Sequence, residues 1–329
     1  MMFILKVRGI LNMKKKLFNL IKIIISISLI VYLFYRYRDD LVGFFQSTSL
    51  EDINIYFLVL AALMHLTGLL ISSIRWKMLL KMQKVEAGIN YLNASLLIGI
   101  FLNNFLPGSI GGDAYRAYDS SRSKNSSWPK AITVLLVERG TGVIVLLVFI
   151  IVSLFLGFTL IDFKQVSLAV GILLGIGLIF TIFLIRPSLL RVIFKIRFMK
   201  KAEEKFQIFL DAFSKFKSYK KEMAIIMVLS FLMQFNVIIH YYFAALALNI
   251  EISFLSLLFM VPLVLLIAMI PISIGGLGVR ENTTAYFLQM MGVSSTSAIA
   301  LPLLVLILLI LESIIGGFFF LARKPKIFS

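Results

Sequence analysis

Eight apolar runs constrain this chain more than anything else in it: Leu17–Tyr35, Ile55–Ile74, Ile89–Leu106, Ala131–Gly157, Val166–Ile185, Met223–Leu248, Ile252–Ile274 and Thr296–Ala322. Each approaches or exceeds the roughly 20 residues that cross a bilayer as a helix. In lipid every backbone N–H and C=O must be satisfied within the protein, which leaves helices as the solution for runs of this length. The expected fold class is therefore an all-α integral membrane protein, a polytopic helical bundle of six to eight transmembrane segments in one domain spanning 1–329. With 60% hydrophobic and 15% charged residues, the chain lies outside the soluble class. The net charge of +17 does not point to nucleic acid, because most basic residues sit between apolar runs. There they orient helices and meet anionic lipid at the cytoplasmic face. No cysteine is present, so disulfide and thiolate chemistry are excluded.

Two of the runs are broken in the same way. Pro107-Gly108-Ser109-Ile110-Gly111-Gly112 leads to Arg116, and Pro271-Ile272-Ser273-Ile274-Gly275-Gly276 leads to Arg280. The shared pattern is P-x-S-I-G-G-x-x-x-R, once in each half, and such a repeat takes precedence over local readings. Paired Gly/Pro interruptions in corresponding segments mark the binding site of many transporters. The repeats are expected around 89–157 and 252–322, with a basic cytoplasmic loop at 186–222 between them.

Loop charges give the orientation. Residues 75–84 carry Arg75, Lys77, Lys81 and Lys84; residues 186–221 carry eleven Lys/Arg against three acids; Arg323, Lys324 and Lys326 follow the last run. Together with the basic N-terminus these are expected to be cytoplasmic. Met13 opens a Met-Lys-Lys-Lys start of its own, so residues 1–12 carry no argument, and Leu17–Tyr35 reads as a retained helix. Three runs lie between the basic loops at 75–84 and 186–221, and an odd number of crossings cannot return to the same side. Ile89–Leu106, ending in the first break, is expected to dip in from the cytoplasm and return. In the second half three crossings satisfy parity, and so does an external dip at Ile252–Ile274; the repeat favours the dip. Phe206, Phe209, Leu210, Phe213 and Phe216 form an amphipathic pattern among lysines, which suits a helix on the cytoplasmic leaflet or one packed on the protein's own loops.

The candidate headgroup-binding residues gather at the breaks: Asn103, Asn104, Pro107, Ser109, Gly111, Gly112, Asp113 and Arg116 in the first, Pro271, Ser273, Gly275, Gly276, Arg280 and Glu281 in the second. Glycines let backbone N–H groups approach an anion, and a helix starting after a break adds free donors. Asp113 is placed to cap a helix beginning near Ala114. Arg116, about one turn in, offers a planar fork for phosphate, and Arg280 holds the corresponding place. The alternative is that each arginine pairs a nearby acid, Asp113 or Glu281. Glu138, Arg139 and Glu312 lie within apolar runs, where a charge is functional by default. Neighbours in sequence, Glu138 and Arg139 point in different directions on a helix, so each needs a partner elsewhere. Glu138–Arg280 and Glu312–Arg116 are two pairings the sequence allows. His65 and His240, in separate runs, read as polar contacts between helices rather than metal ligands. No nucleotide, metal or nucleophile-elbow motif occurs, so no cofactor is expected.

N-x-x-x-P-x-x-x-G-G-D-x-x-R at 103–116, Glu138-Arg139 and P-I-S-I-G-G-L-G-V-R-E at 271–281 resemble the lysylphosphatidylglycerol synthase transmembrane-region family, also described as flippase-like. The resemblance covers nearly the whole chain. In the multiple peptide resistance factors of bacteria, this region moves aminoacylated phosphatidylglycerol between leaflets, and a separate cytosolic domain makes that lipid. The chain ends at Ser329 without such a domain, so lysyltransferase activity is not expected. What the resemblance implies is a cell-membrane flippase for a phosphate-bearing, aminoacylated or other lipid headgroup. Two other readings stand beside it: a membrane partner of a synthase or glycosyltransferase, and an ion-coupled solute transporter.

Overall fold

The computed structural model describes residues 2–38, 53–105, 111–156, 214–270 and 272–323, together with 171, 175 and 211. Among them are nine α-helices and no strand: α1 (Met2–Arg36), α2 (Ile55–Met82), α3 (Ile89–Phe105), α4 (Gly111–Ser121), α5 (Trp128–Phe155), α6 (Lys220–Ala247), α7 (Phe254–Ala268), α8 (Val279–Met290) and α9 (Ser295–Ala322). The run Val166–Ile185 and most of the loop 186–222 lie outside the described residues.

Four helices, α2, α5, α6 and α9, are each 28 residues long and apolar enough to cross a membrane. At 1.5 Å per residue each measures about 42 Å, which exceeds a hydrocarbon core of about 30 Å. The chain is an integral membrane helical protein. Their outward faces carry large exposed apolar side chains, such as Leu66, Val228, Leu311 and Phe318, as a lipid-facing belt requires. Polar caps fix three helix starts. Asn54 Oδ1 accepts from the Tyr56 and Phe57 N–H groups at 3.1 and 3.4 Å, Ser253 Oγ from Ser256 N–H at 3.0 Å, and Ser294 Oγ from Ser297 N–H at 3.3 Å.

One end of the bundle is basic. There Trp76, Leu79 and Leu80 of α2, Leu92 of α3, Val134 and Val137 of α5, Ile226 of α6 and Phe216 form one buried cluster. Phe216, in a short 3-10 helix at Lys215–Ser218, thus packs on the protein; the other four residues of the amphipathic pattern lie outside the described residues. Arg323, just past α9, reaches the same end: it donates to Asp119 of α4 at 3.1 Å and lies 3.8 Å over the ring of Tyr91, whose hydroxyl donates to Asp119 at 2.6 Å. The opposite end holds the larger apolar cluster, built from α5, α6, α7, α8 and α9 around Phe149, Ile238, Leu257, Phe287 and Leu301.

Both interrupted segments fold back. α3 and α4 pack antiparallel, with Tyr91 on Asp119 near the basic end and Asn103 on Gly112 near the break. Close approach of their backbones depends on glycine, because a Cβ at Gly112 would collide with the Gly99 carbonyl. α7 and α8 pack on one another on either side of the second break. α7 follows the far end of α6, and α8 leads through 291–294 into the start of α9, so this hairpin opens at the opposite end. The two tips meet: a Cβ at Gly275 would lie 2.8 Å from the Asn103 carbonyl oxygen. Gly275 has φ +57°, a left-handed conformation that glycine adopts without cost.

Candidate functional site

The equal spacing of the two motifs yields unequal helix starts. α4, Gly111–Ser121, already includes Gly111, so Arg116 lies at least five residues in and Asp113 is helical. Asp113 is therefore not the cap; Asn103 takes that role, its Oδ1 accepting the Gly112 N–H at 2.8 Å. In the second motif Gly275, Gly276 and Gly278 all have positive φ and delay the helix to Val279, which puts Arg280 one residue in. Among the positions where the motifs differ, Gly278 stands where the first motif has Ala114, and it is the one with positive φ. The two arginines thus correspond in sequence but not in helical position. Pro107, Ser109 and Pro271 lie outside the described residues.

Around the first break five charges converge. Glu138 uses both carboxylate oxygens: Oε2 accepts from Arg116 Nη2 at 2.7 Å and Oε1 from Arg75 Nη2 at 3.1 Å, with all three side chains no more than 8% exposed. Asp113 accepts from Arg139 Nη2 at 2.7 Å and Nε at 3.0 Å, and from Arg116 Nη1 at 3.4 Å. Arg116 also lies 4.3 Å from the Trp76 ring centroid, a cation–π contact. Glu138 and Arg139 do not pair with each other, as their helical directions require. All five charges line a cavity of about 240 Å³, with Asn103 on its wall. Three guanidiniums against two carboxylates leave one positive charge there, and the Nε–H groups of Arg75 and Arg116 are buried without an acceptor among the described residues.

A second cavity of about 270 Å³ adjoins the first, sharing Ser72, Leu96, Ile100 and Met233 in its wall. Arg280 and Glu312 line it. Arg280 donates from Nη2 and Nε to Oε1 of Glu281, at 2.7 and 3.0 Å, while Oε2 of the fully buried Glu281 accepts the Gly278 N–H at 2.6 Å. Glu312 bonds His65 Nδ1 at 2.8 Å. Asn104 donates to Ser313 at 2.5 Å, tying the first tip to α9, and Ser273 is buried at the second tip.

Both pairings allowed by the sequence are thus replaced. Glu138 meets Arg116 and Arg75 rather than Arg280, and Glu312 meets His65 rather than Arg116. Each motif arginine does pair a nearby acid, Asp113 for Arg116 and Glu281 for Arg280. Sequence reading placed Arg75 in a cytoplasmic loop; the structure places it in α2, which continues to Met82. The signal was available, because Ser72, Arg75, Trp76, Leu79 and Leu80 share the buried face while Lys77 and Lys81 are exposed.

A family model, the lysylphosphatidylglycerol synthase TM region, matches residues 19–316. The chain belongs to this family. The match takes in both breaks, all five charges of the first cavity, and Arg280 and Glu312 of the second. The chain is also 27% identical over 301 residues to a UPF0104 membrane protein of Pyrococcus horikoshii, an alignment covering 84% of this chain and 90% of that one. It is 31% identical over 91 residues to a UPF0104 membrane protein of Methanocaldococcus jannaschii, covering 27% of each. No solved structure matches the chain. What the family describes is a membrane region, so membership gives membrane location and family without an activity.

Proposed function

We propose that the chain is a cell-membrane translocase that carries a phosphate-bearing lipid headgroup from one leaflet to the other. The observation that carries this reading is the uncompensated positive charge, with two unengaged guanidinium N–H groups, beside the first cavity. A charge inside a membrane protein is costly and wants a counter-charge. A phosphate supplies it, and a planar guanidinium fork binds phosphate oxygens in pairs. The barrier to headgroup crossing is desolvation, several kcal/mol for each unsatisfied polar group. Two adjoining polar cavities where the hairpin tips meet would lower it.

In this reading the hairpins α3–α4 and α7–α8 are re-entrant from opposite faces, an inverted repeat, with both termini cytoplasmic. Asn103, Asp113, Arg116, Glu138 and Arg139 form the first station for the headgroup. Arg280, held by Glu281, forms the second, with Glu312 on its wall. Gly111, Gly112, Gly275 and Gly276 let the tips approach, and Asn104 and Ser273 shape them. The lipid contacts the protein directly and no cofactor takes part. A membrane-region family named for a lipid synthase supports a lipid substrate.

The test is reconstitution of the purified chain alone into vesicles holding a trace of acyl-labelled phosphatidylglycerol, followed by quenching from outside. Quenching beyond the outer-leaflet fraction is expected. Activity only with a co-purified lipid-modifying enzyme, or counterflow of a soluble solute without lipid movement, would overturn the proposal in favour of a partner subunit or a solute transporter.

A further inference from the structure

The second cavity holds a feature that the phosphate path does not use. The chain has two histidines, and they converge there: the rings of His65 on α2 and His240 on α6 lie 4.5 Å apart, edge to face. His65 Nδ1 is 2.8 Å from Glu312 Oε2, with the side chains 18% and 12% exposed. Glu312 sits ten residues before the end of α9, about 15 Å from that terminus. His240 Nδ1 lies 2.9 Å from the Ala61 carbonyl and so carries the hydrogen, which leaves its Nε2 a lone pair. The Nε2 atoms of both rings are buried without a partner among the described residues.

We propose that His65 and Glu312 form a proton-binding site, and that its occupancy couples the headgroup movement proposed above to a proton gradient. The inference rests on that reading for the cargo. Charge gives the mechanism. Around the second cavity Arg280 is offset by Glu281, and Glu312 adds a negative charge when His65 is neutral. An anionic phosphate leaving the positively charged first cavity is then repelled. A proton taken from the cavity onto His65 Nε2, while Nδ1–H stays on Glu312, makes an imidazolium–carboxylate pair and cancels that charge. The phosphate can now move beside Arg280, and release on the far side returns the proton from Nε2. Because binding couplings are reciprocal, phosphate at Arg280 equally favours the proton.

Other titratable groups near His65 leave this pair as the switch. From α6 come His240, fixed by Ala61, and Tyr241; from α8 come Arg280 and Glu281, each engaged by the other; from α9 comes Glu312 itself. α3 presents Leu96 and Ile100, and the α5 charges Glu138 and Arg139 belong to the first cavity, as does Arg75 on α2. Lys22 is buried on α1, one turn before Ser26, which bonds the backbone of Ile274.

Two histidines make the site directly observable. The full chain, labelled with ¹⁵N-histidine and carrying no histidine tag, shows two imidazoles, assigned with His240→Gln. In wild type the His65 signals are expected to respond to acidification, and in Glu312→Gln to stay those of the neutral ring. In proteoliposomes with the membrane potential clamped, an imposed pH gradient should drive acyl-labelled phosphatidylglycerol to accumulate in one leaflet. One proton per lipid sustains a ratio of about tenfold per pH unit, and Glu312→Gln and His65→Gln should lose that response. A His65 ring neutral throughout, or lipid exchange in wild type that ignores the gradient, would overturn the proton site and leave the translocase reading standing. A titrating His65 in a folded chain that exchanges no lipid at any pH would overturn the translocase reading, and the coupling with it.

Discussion

Neutralising Glu138 should be the most damaging single change of one charged group in this protein. Its carboxylate bridges Arg116 at 2.7 Å and Arg75 at 3.1 Å, and none of the three side chains is more than 8% exposed. Glu138→Gln keeps the shape but leaves one carbonyl oxygen for two guanidiniums and turns an amide N–H₂ toward the other. Breaking one buried ion pair costs about 3–5 kcal/mol, because an uncompensated charge stays behind. Two guanidiniums lose their shared carboxylate here, while Arg116 keeps Asp113 at 3.4 Å and Arg75 keeps Ser230 at 3.1 Å, so the loss should lie within that range. Arg75→Gln combined with Glu138→Gln removes one charge of each sign and restores the original balance of the cavity. Residues sharing one network couple by about 0.5–3 kcal/mol, so the double variant should be more stable than the sum of the two singles predicts, by an amount in that span. The assay is reversible unfolding in detergent micelles for wild type, both singles and the double. Glu138→Gln as stable as wild type, or strict additivity of the two singles, would refute a shared buried network.

Gly316→Ala should destabilise the protein by about 1–3 kcal/mol, because the new methyl meets the Leu97 backbone carbonyl where α9 crosses α3, whereas Gly88→Ala, in open space, should not; thermal unfolding of both checks this. The cysteine-free chain suits single-cysteine labelling, with cysteines at Lys81, Lys124 and Lys217 expected to react from the cytoplasm and one at Asp162 from outside; external reaction at Lys124 would remove the first re-entrant hairpin. Arg323→Ala should loosen the basic end by freeing Asp119 and Tyr91, read as faster hydrogen exchange at 117–121 with little change near Gly275.

How far the sequence spoke for this fold depended on whether a signal was local. Lipid forces helices, so the apolar runs announced α2, α5, α6 and α9 by length alone. Pro and Gly clusters announced both breaks, and loop parity argued that the first turns back. Side-chain pairing was not legible, because Glu138 reaches Arg75 across 63 residues and Glu312 reaches His65 across 247. Arg75 was hidden by its lysine neighbours, which invited a loop reading even though its face repeats with helical period. The start of α4 was placed too late because Asn103, a residue of the preceding helix, supplies the acceptor that Asp113 was expected to provide.

The central claim is that a guanidinium fork at the first break binds a moving phosphate. The measurement is transbilayer movement of acyl-labelled phosphatidylglycerol by Arg116→Lys and Arg116→Ala in proteoliposomes, normalised to folded protein. Lysine keeps the charge but loses the paired donors. Slowed movement in the lysine variant and slower still in the alanine variant, with both proteins folded and inserted, is the expected result. Wild-type rates in both variants would contradict it.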